Sequence, residues 1–122
     1  MDGSVKGIGC DIVSVPRIAA LIADTRFLDR VYTEREQGYL SGRGAQTAAG
    51  MWAAKEAVSK ALGTGCVGFG LKDIEVRHDE NGAPRIALRR GAEARAELIG
   101  AASVHVSISH EAEQALAFAV IG

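Results

Sequence analysis

Gln46-Thr47-Ala48-Ala49-Gly50-Met51-Trp52-Ala53-Ala54-Lys55-Glu56-Ala57-Val58-Ser59-Lys60-Ala61-Leu62 is the stretch that decides the fold. Ala54, Val58, Ala61 and Leu62 recur at helical spacing, and Gly63 follows as a stop, so the run reads as one long helix. Glu56 and Lys60 fall one turn apart on the side away from that stripe. The alanines leave room for a neighbouring element to approach closely. Upstream, Thr33-Glu34-Arg35-Glu36 is a capping-box pattern that opens a helix ending near Ser41, before Gly42 and Gly44. Further back, Ser14 and Pro16 start a helix over Arg17 to Ala23. Val5 to Val13 alternates as a strand, with Ile8, Cys10 and Ile12 on one face and Gly7, Gly9 and Asp11 on the other.

Downstream, residues 66–71 form a glycine-rich loop. Ile74 to His78 and Arg85 to Arg89 read as two strands around a hairpin marked by Asn81-Gly82. A short amphipathic helix covers Ala92 to Ile99. Val104 to Ser109 alternates, with His105, Ser107 and Ser109 outward. Ala115 to Ile121 is continuously apolar and reads as a buried strand paired with its predecessor. The sum is an α+β domain, a mainly antiparallel sheet packed with a long central helix.

At 122 residues, without an internal repeat or a Pro/Ser-rich linker, residues 1–122 make a single domain. So small a core gains from association, so an oligomer is expected. A net charge of -1 argues against a nucleic-acid binder that works by phosphate neutralisation. No apolar run reaches the roughly 18 residues of a membrane span. The first six residues lack a signal-peptide core, and a cytoplasmic enzyme is expected. Cys10 and Cys66 form no CxxC pair and read as two reduced, packed thiols.

The residues alone suggest chemistry without settling it. Asp11, a carboxylate at the end of an apolar strand, is either a metal ligand or a capping or surface carboxylate. Glu56 is either its partner in a magnesium site, where one or two protein carboxylates suffice, or half of an exposed ion pair with Lys60. Lys60 beside Gly63-Thr64-Gly65 suits phosphate, although the order is not that of a Walker motif. His78 reads as a solvated residue near the hairpin, and His105 as structural. His110, at a strand end, is open to either reading. No nucleophile elbow supports a serine triad.

Three segments resemble the holo-acyl-carrier-protein synthase family. Gly7-Ile8-Gly9-Cys10-Asp11-Ile12-Val13 with Arg17-Ile18 is similar to its first signature. Trp52 through Gly65 is similar to its central one, and Val106-Ser107-Ile108-Ser109-His110-Glu111 to its last. The resemblance covers essentially the whole chain. It implies a small 4'-phosphopantetheinyl transferase of fatty-acid biosynthesis, with coenzyme A as donor and acyl carrier protein as acceptor. It also implies a homotrimer with active sites between subunits. Asp11 and Glu56 would hold Mg²⁺ (Mn²⁺ being the alternative) against the coenzyme pyrophosphate.

By the same resemblance, Lys60 would contact the phosphate under attack, and Glu56, directly or through a water, would take the serine proton. Arg43 and His110 would lie near the coenzyme's other phosphate groups. Gly63, Thr64 and Gly65 would line the coenzyme pocket, and Arg17 would face the acidic helix of the carrier protein. One position departs from the pattern: Met51 stands where the family usually carries an arginine that contacts phosphate. Two rival readings are a non-catalytic coenzyme-binding trimer and a metal-dependent phosphohydrolase.

Overall fold

The computed structural model describes residues 3–63 and 67–122. Strand β1 (Gly7–Ser14) leads into helices α1 (Val15–Ile22), α2 (Thr25–Val31), α3 (Glu34–Leu40) and α4 (Ala45–Ala61). A 3₁₀ turn at Leu71–Asp73 precedes the hairpin β2 (Ile74–His78) and β3 (Pro84–Leu88). Helix α5 (Arg90–Leu98) and a second hairpin, β4 (Val104–Glu111) and β5 (Gln114–Ile121), complete the chain. Among the described residues there are two antiparallel sheets: β1-β5-β4, with β5 central, and the separate pair β2-β3. Asp11 pairs with Ala117, which in turn pairs with Ile108.

Helix α4 lies across β1 and β5 and touches α1, β2 and β4 as well. Among its residues only Gln46 and Lys60 are exposed. The stripe expected from the spacing is therefore too narrow, because alanine and glycine let neighbours close on almost every side of this central helix. The approach is closest at β1. A Cβ placed on Gly7 would stand 1.9 Å from the Ala61 carbonyl oxygen, and one on Gly9 would stand 1.9 Å from that of Ala57. Only glycine fits at either place. On the same side, Ala115, Ala117 and Ala119 of β5 are fully buried.

Strand β5 is thus not buried throughout. Leu116 and Phe118 point to the far side of the sheet and are 41% and 45% exposed, beside Ile8 and Ile12 of β1 at 62% and 58%. Cys10 lies on that open face and is exposed, not packed. The reason is the glycine face of β1, which takes the helix and turns the larger side chains outward. Cys66 lies outside the described residues.

The capping box is present as expected: Thr33 N–H donates to Glu36 at 2.8 Å, and Glu36 N–H donates to the Thr33 hydroxyl at 3.1 Å. Glu36 does more than cap. Its side chain is fully buried, ion-pairs with the equally buried Lys55 at 2.6 Å, and accepts from Val76 N–H at 2.7 Å. Lys55 also donates to the carbonyls of Leu71 and Ile74, at 3.0 and 2.8 Å. Burial pulls the Lys55 ammonium down and Glu36 opposes the pull. Glu75, buried nearby, accepts from Thr33 and pairs with Arg77. This buried ionic brace locks α3, α4 and β2 into one body.

Candidate functional site

Three expected site residues meet where β1 crosses the last turns of α4. Asp11 shares the inward face of β1 with Gly9 and Val13, because alternate residues of a strand share a face. The missing side chains at Gly7 and Gly9 let that face settle on α4. Lys60 reaches across and donates to the Cys10 carbonyl at 2.9 Å and to Asp11 at 3.1 Å. Glu56 sits one turn earlier on the same flank. Partial burial raises its carboxyl above the usual range; the Asp11 charge raises it further, and Lys60 partly offsets both. Two carboxylates are therefore close enough to repel, and the Lys60 ammonium is bonded to one of them, Asp11.

The exit of α4 is held from outside. Arg95 of α5 donates from Nε to the Leu62 carbonyl at 2.8 Å, and Gly63 takes φ +83°, the left-handed turn that ends a helix cheaply only at glycine. Gly63 thus stands at the mouth of the loop that follows Lys60. The expected loop residues Thr64 and Gly65 lie outside the described residues. Arg17 is exposed in the first turn of α1, its N–H capped by Ser14.

Arg43 and His110 are elsewhere. They belong to the other flank of α4, across the central strand β5 from Asp11. His110, at the end of β4, has Nε2 3.0 Å from the Gln46 carbonyl. Gly50 makes this possible, since a Cβ there would stand 2.9 Å from that same nitrogen. Arg43 donates to the Tyr39 carbonyl at 2.9 Å and lays its guanidinium over the Tyr39 ring, 4.0 Å from the centroid. The other side of Tyr39 stacks on His78, with centroids 3.9 Å apart and planes 4° from parallel.

His78 is therefore half-buried in a three-layer stack, not simply solvated. Burial holds its imidazole below the usual range, and Arg43 pushes the same way against a weaker opposing pull from Asp79. Tyr39, His78 and Arg95 carry no local signal that marks them for these places, since each meets partners distant in sequence. His105 points outward from β4 and is exposed, as expected.

Two carboxylates and a lysine beside a glycine turn suit an oxygen-liganded divalent cation and the phosphates it binds. Asp11 and Glu56 are two carboxylates of the type such a cation takes, and their mutual repulsion is what a cation would relieve. Among the described residues no group of three or more metal-binding side chains forms a closed cage.

The sequence profile of the 4'-phosphopantetheinyl transferase superfamily matches residues 7–119. The holo-[acyl-carrier-protein] synthase of Clostridium acetobutylicum is 43% identical over 120 residues, spanning 96% of this chain and 97% of that protein. The crystal structure of holo-[acyl-carrier-protein] synthase from Neisseria meningitidis superposes with a TM-score of 0.89 at 34% identity, covering 98% of this chain and 99% of the other. That of the Helicobacter pylori synthase in complex with coenzyme A gives 0.84 at 32%, covering 94% and 99%.

Proposed function

The chain belongs to the 4'-phosphopantetheinyl transferase superfamily, and on that premise we propose that it transfers 4'-phosphopantetheine from coenzyme A to a serine of apo acyl carrier protein. The observation that carries the reading is the trio Asp11, Glu56 and Lys60, with a raised carboxyl at Glu56. A carboxylate beside the site is suited to take a proton, and an adjacent lysine is suited to a phosphate.

In the reaction, the serine hydroxyl oxygen forms a bond to the β-phosphorus of coenzyme A. The bond from that phosphorus to the bridging oxygen breaks, and adenosine 3',5'-bisphosphate leaves. Glu56 accepts the serine proton. Lys60 turns from Asp11 to the phosphates and stabilises the leaving oxygen with a charge-assisted hydrogen bond. Asp11 and Glu56 would hold Mg²⁺, which when bound would supply neutralisation of charge on the phosphate oxygens. Phosphoryl transfer is mostly positioning, so the tight seat of β1 on α4 is part of the chemistry.

The active assembly is a homotrimer. Support comes from the open apolar face of Ile8, Ile12, Leu116 and Phe118, the kind of patch that marks a contact surface. Support for a shared site comes from the separation of Lys60 and Asp11 from Arg43 and His110 by the width of the sheet. A coenzyme lying between two copies can use the first set from one and the second from the other. Arg17, exposed just after β1, faces the acidic carrier protein. Among the described residues no helix is long and apolar enough to cross a membrane.

The test follows adenosine 3',5'-bisphosphate by chromatography. Its release only when apo carrier protein and Mg²⁺ are both present supports the transferase. Release without carrier protein supports a hydrolase instead, and no release under any condition supports a binding protein.

A further inference from the structure

Helix α5 is firmly seated. Its Ala92 and Ala96 are 0% and 6% exposed. Its start is tied to the 3₁₀ turn: Arg89 N–H donates to the Asp73 carbonyl at 2.8 Å, and Arg90 pairs with the Asp73 carboxylate at 3.9 Å. Arg90 takes φ +46°, a conformation that a residue other than glycine keeps only where its surroundings fix it.

Gly91 and Arg95 lie four residues apart and so share one face of this helix. A Cβ on Gly91 would stand 2.3 Å from the Gly68 carbonyl oxygen and 2.9 Å from the Phe69 Cβ, so the helix backbone rests directly on that stretch. One turn on, Arg95 Nε donates to the Leu62 carbonyl at 2.8 Å, and a Cβ on Gly63 would stand 3.2 Å from Arg95 Nη2. One face of α5 therefore bears on Gly68 and Phe69 at one end and on Leu62 and Gly63 at the other.

This grip exceeds what ending a helix requires. Gly63 already turns at φ +83°, and its N–H donates to the Lys60 carbonyl at 2.9 Å. Water commonly satisfies the carbonyls left over at a helix end. Here a half-buried arginine from another helix takes one of them, two residues beyond Lys60. The Lys60 side chain is long and half exposed, and it must leave Asp11 to reach a phosphate. Its backbone is the fixed part of that reach.

We propose that Arg95, with Gly91 as its seat, is a positioning residue of the transfer reaction: it fixes the last turn of α4 and so places Lys60 and the Gly63 turn against the coenzyme's phosphates. The inference rests on the transferase reading above. Arg95 acts through the Leu62 carbonyl and the bond from Gly63 to Lys60, and touches no reacting atom itself.

The test measures kcat, KM for coenzyme A and KM for apo carrier protein at saturating Mg²⁺, with coenzyme A affinity by calorimetry and urea unfolding alongside. Arg95→Met keeps the length of the side chain and loses its donors. It raises KM and Kd for coenzyme A by about tenfold, the scale of a misplaced charge-assisted contact, and leaves KM for the carrier protein as it was. Arg95→Lys, whose ammonium can reach the same carbonyl, recovers part of the loss. Gly91→Ala pushes α5 off Gly68 and raises KM for coenzyme A with the arginine still present. A purely structural arginine would lower kcat in step with the folded fraction and leave both KM values unchanged; that pattern overturns the proposal. So does a folded Arg95→Met whose KM for coenzyme A stays within about twofold of the native value. If Arg95→Met does not fold, Arg95→Lys and Gly91→Ala decide by the same criterion. Absence of transfer by the native chain overturns the transferase reading. Calorimetry still judges the positioning role, which falls if Arg95→Met binds coenzyme A as tightly as the native chain.

Discussion

Replacing Gly9 with alanine tests whether the glycine face of β1 exists to set the site. The added Cβ would stand 1.9 Å from the Ala57 carbonyl oxygen and 2.9 Å from the Ala61 nitrogen. These are backbone atoms inside a buried helix, so they cannot swing aside as a flexible side chain would. Restoring a tolerable contact moves β1 away from α4 by about 1 Å or more, since overpacked atoms yield by backbone shifts. Asp11 rides on β1 two residues later, while Glu56 and Lys60 stay on the helix. A misplacement of about 1 Å in a positioned phosphoryl-transfer site costs on the order of a hundredfold in rate. The same strain costs roughly 1–3 kcal/mol of stability.

The assay pairs kcat at saturating coenzyme A and Mg²⁺ with urea unfolding of the same preparation. Gly38→Ala serves as control, because nothing lies within 4 Å of its new Cβ and alanine favours a helix interior. The reasoning fails if Gly9→Ala turns over within about threefold of the native chain, since a shift of about 1 Å should cost far more. It fails equally if activity falls only in step with the folded fraction.

Three further outcomes are expected. Glu56→Gln should abolish turnover yet raise the melting temperature of the metal-free protein at neutral pH. Burial and Asp11 raise the native carboxyl, so the folded chain keeps its proton to a higher pH than the unfolded chain. Stability then falls as pH rises from the ordinary carboxylate range through that raised value, and glutamine removes the penalty. Calorimetry in chelator across pH 4 to 8 checks this, and a variant that melts lower at pH 7 contradicts it. Lys55→Met leaves Glu36 buried without its cation and should cost about 3–5 kcal/mol in denaturant unfolding, whereas a loss below about 1 kcal/mol would show that the brace is dispensable. Phe118→Glu puts a charge on the open sheet face and should yield a folded monomer with little activity; light scattering that still finds the native oligomer would sink the assignment of that face.

Much of the architecture is legible in local pattern. The Thr33–Glu36 box, the long α4 run and the alternation of β4 each express one backbone period, and the structure follows them within a residue or two. Helix α2 was hidden because it has only 7 residues, with Asp24 as its cap and Phe27 and Val31 as its buried anchors; so short a piece is stable only through tertiary packing. Strand β5 reads as fully buried because Leu116 and Phe118 are as apolar as a core. Among the described residues nothing covers them fully, so sequence hydrophobicity alone read an open sheet face as interior.

The site divides in the same way. Asp11, Glu56 and Lys60 come together because their spacing on one strand and one helix already matches the crossing of the two. The stack of Arg43, Tyr39 and His78, and the pair of Glu36 and Lys55, join segments far apart in the chain. Local pattern holds no trace of them. The exposure of Cys10 follows from the neighbouring glycines, which decide the buried face of β1 against the larger side chains.

The most direct test is intact-protein mass spectrometry of apo acyl carrier protein incubated with this chain, coenzyme A and Mg²⁺. The account predicts a mass gain of one phosphopantetheine unit per carrier, lost when a chelator is added or when Glu56 is replaced by glutamine. An unchanged carrier mass with a folded enzyme, bound coenzyme and several carrier proteins would contradict it.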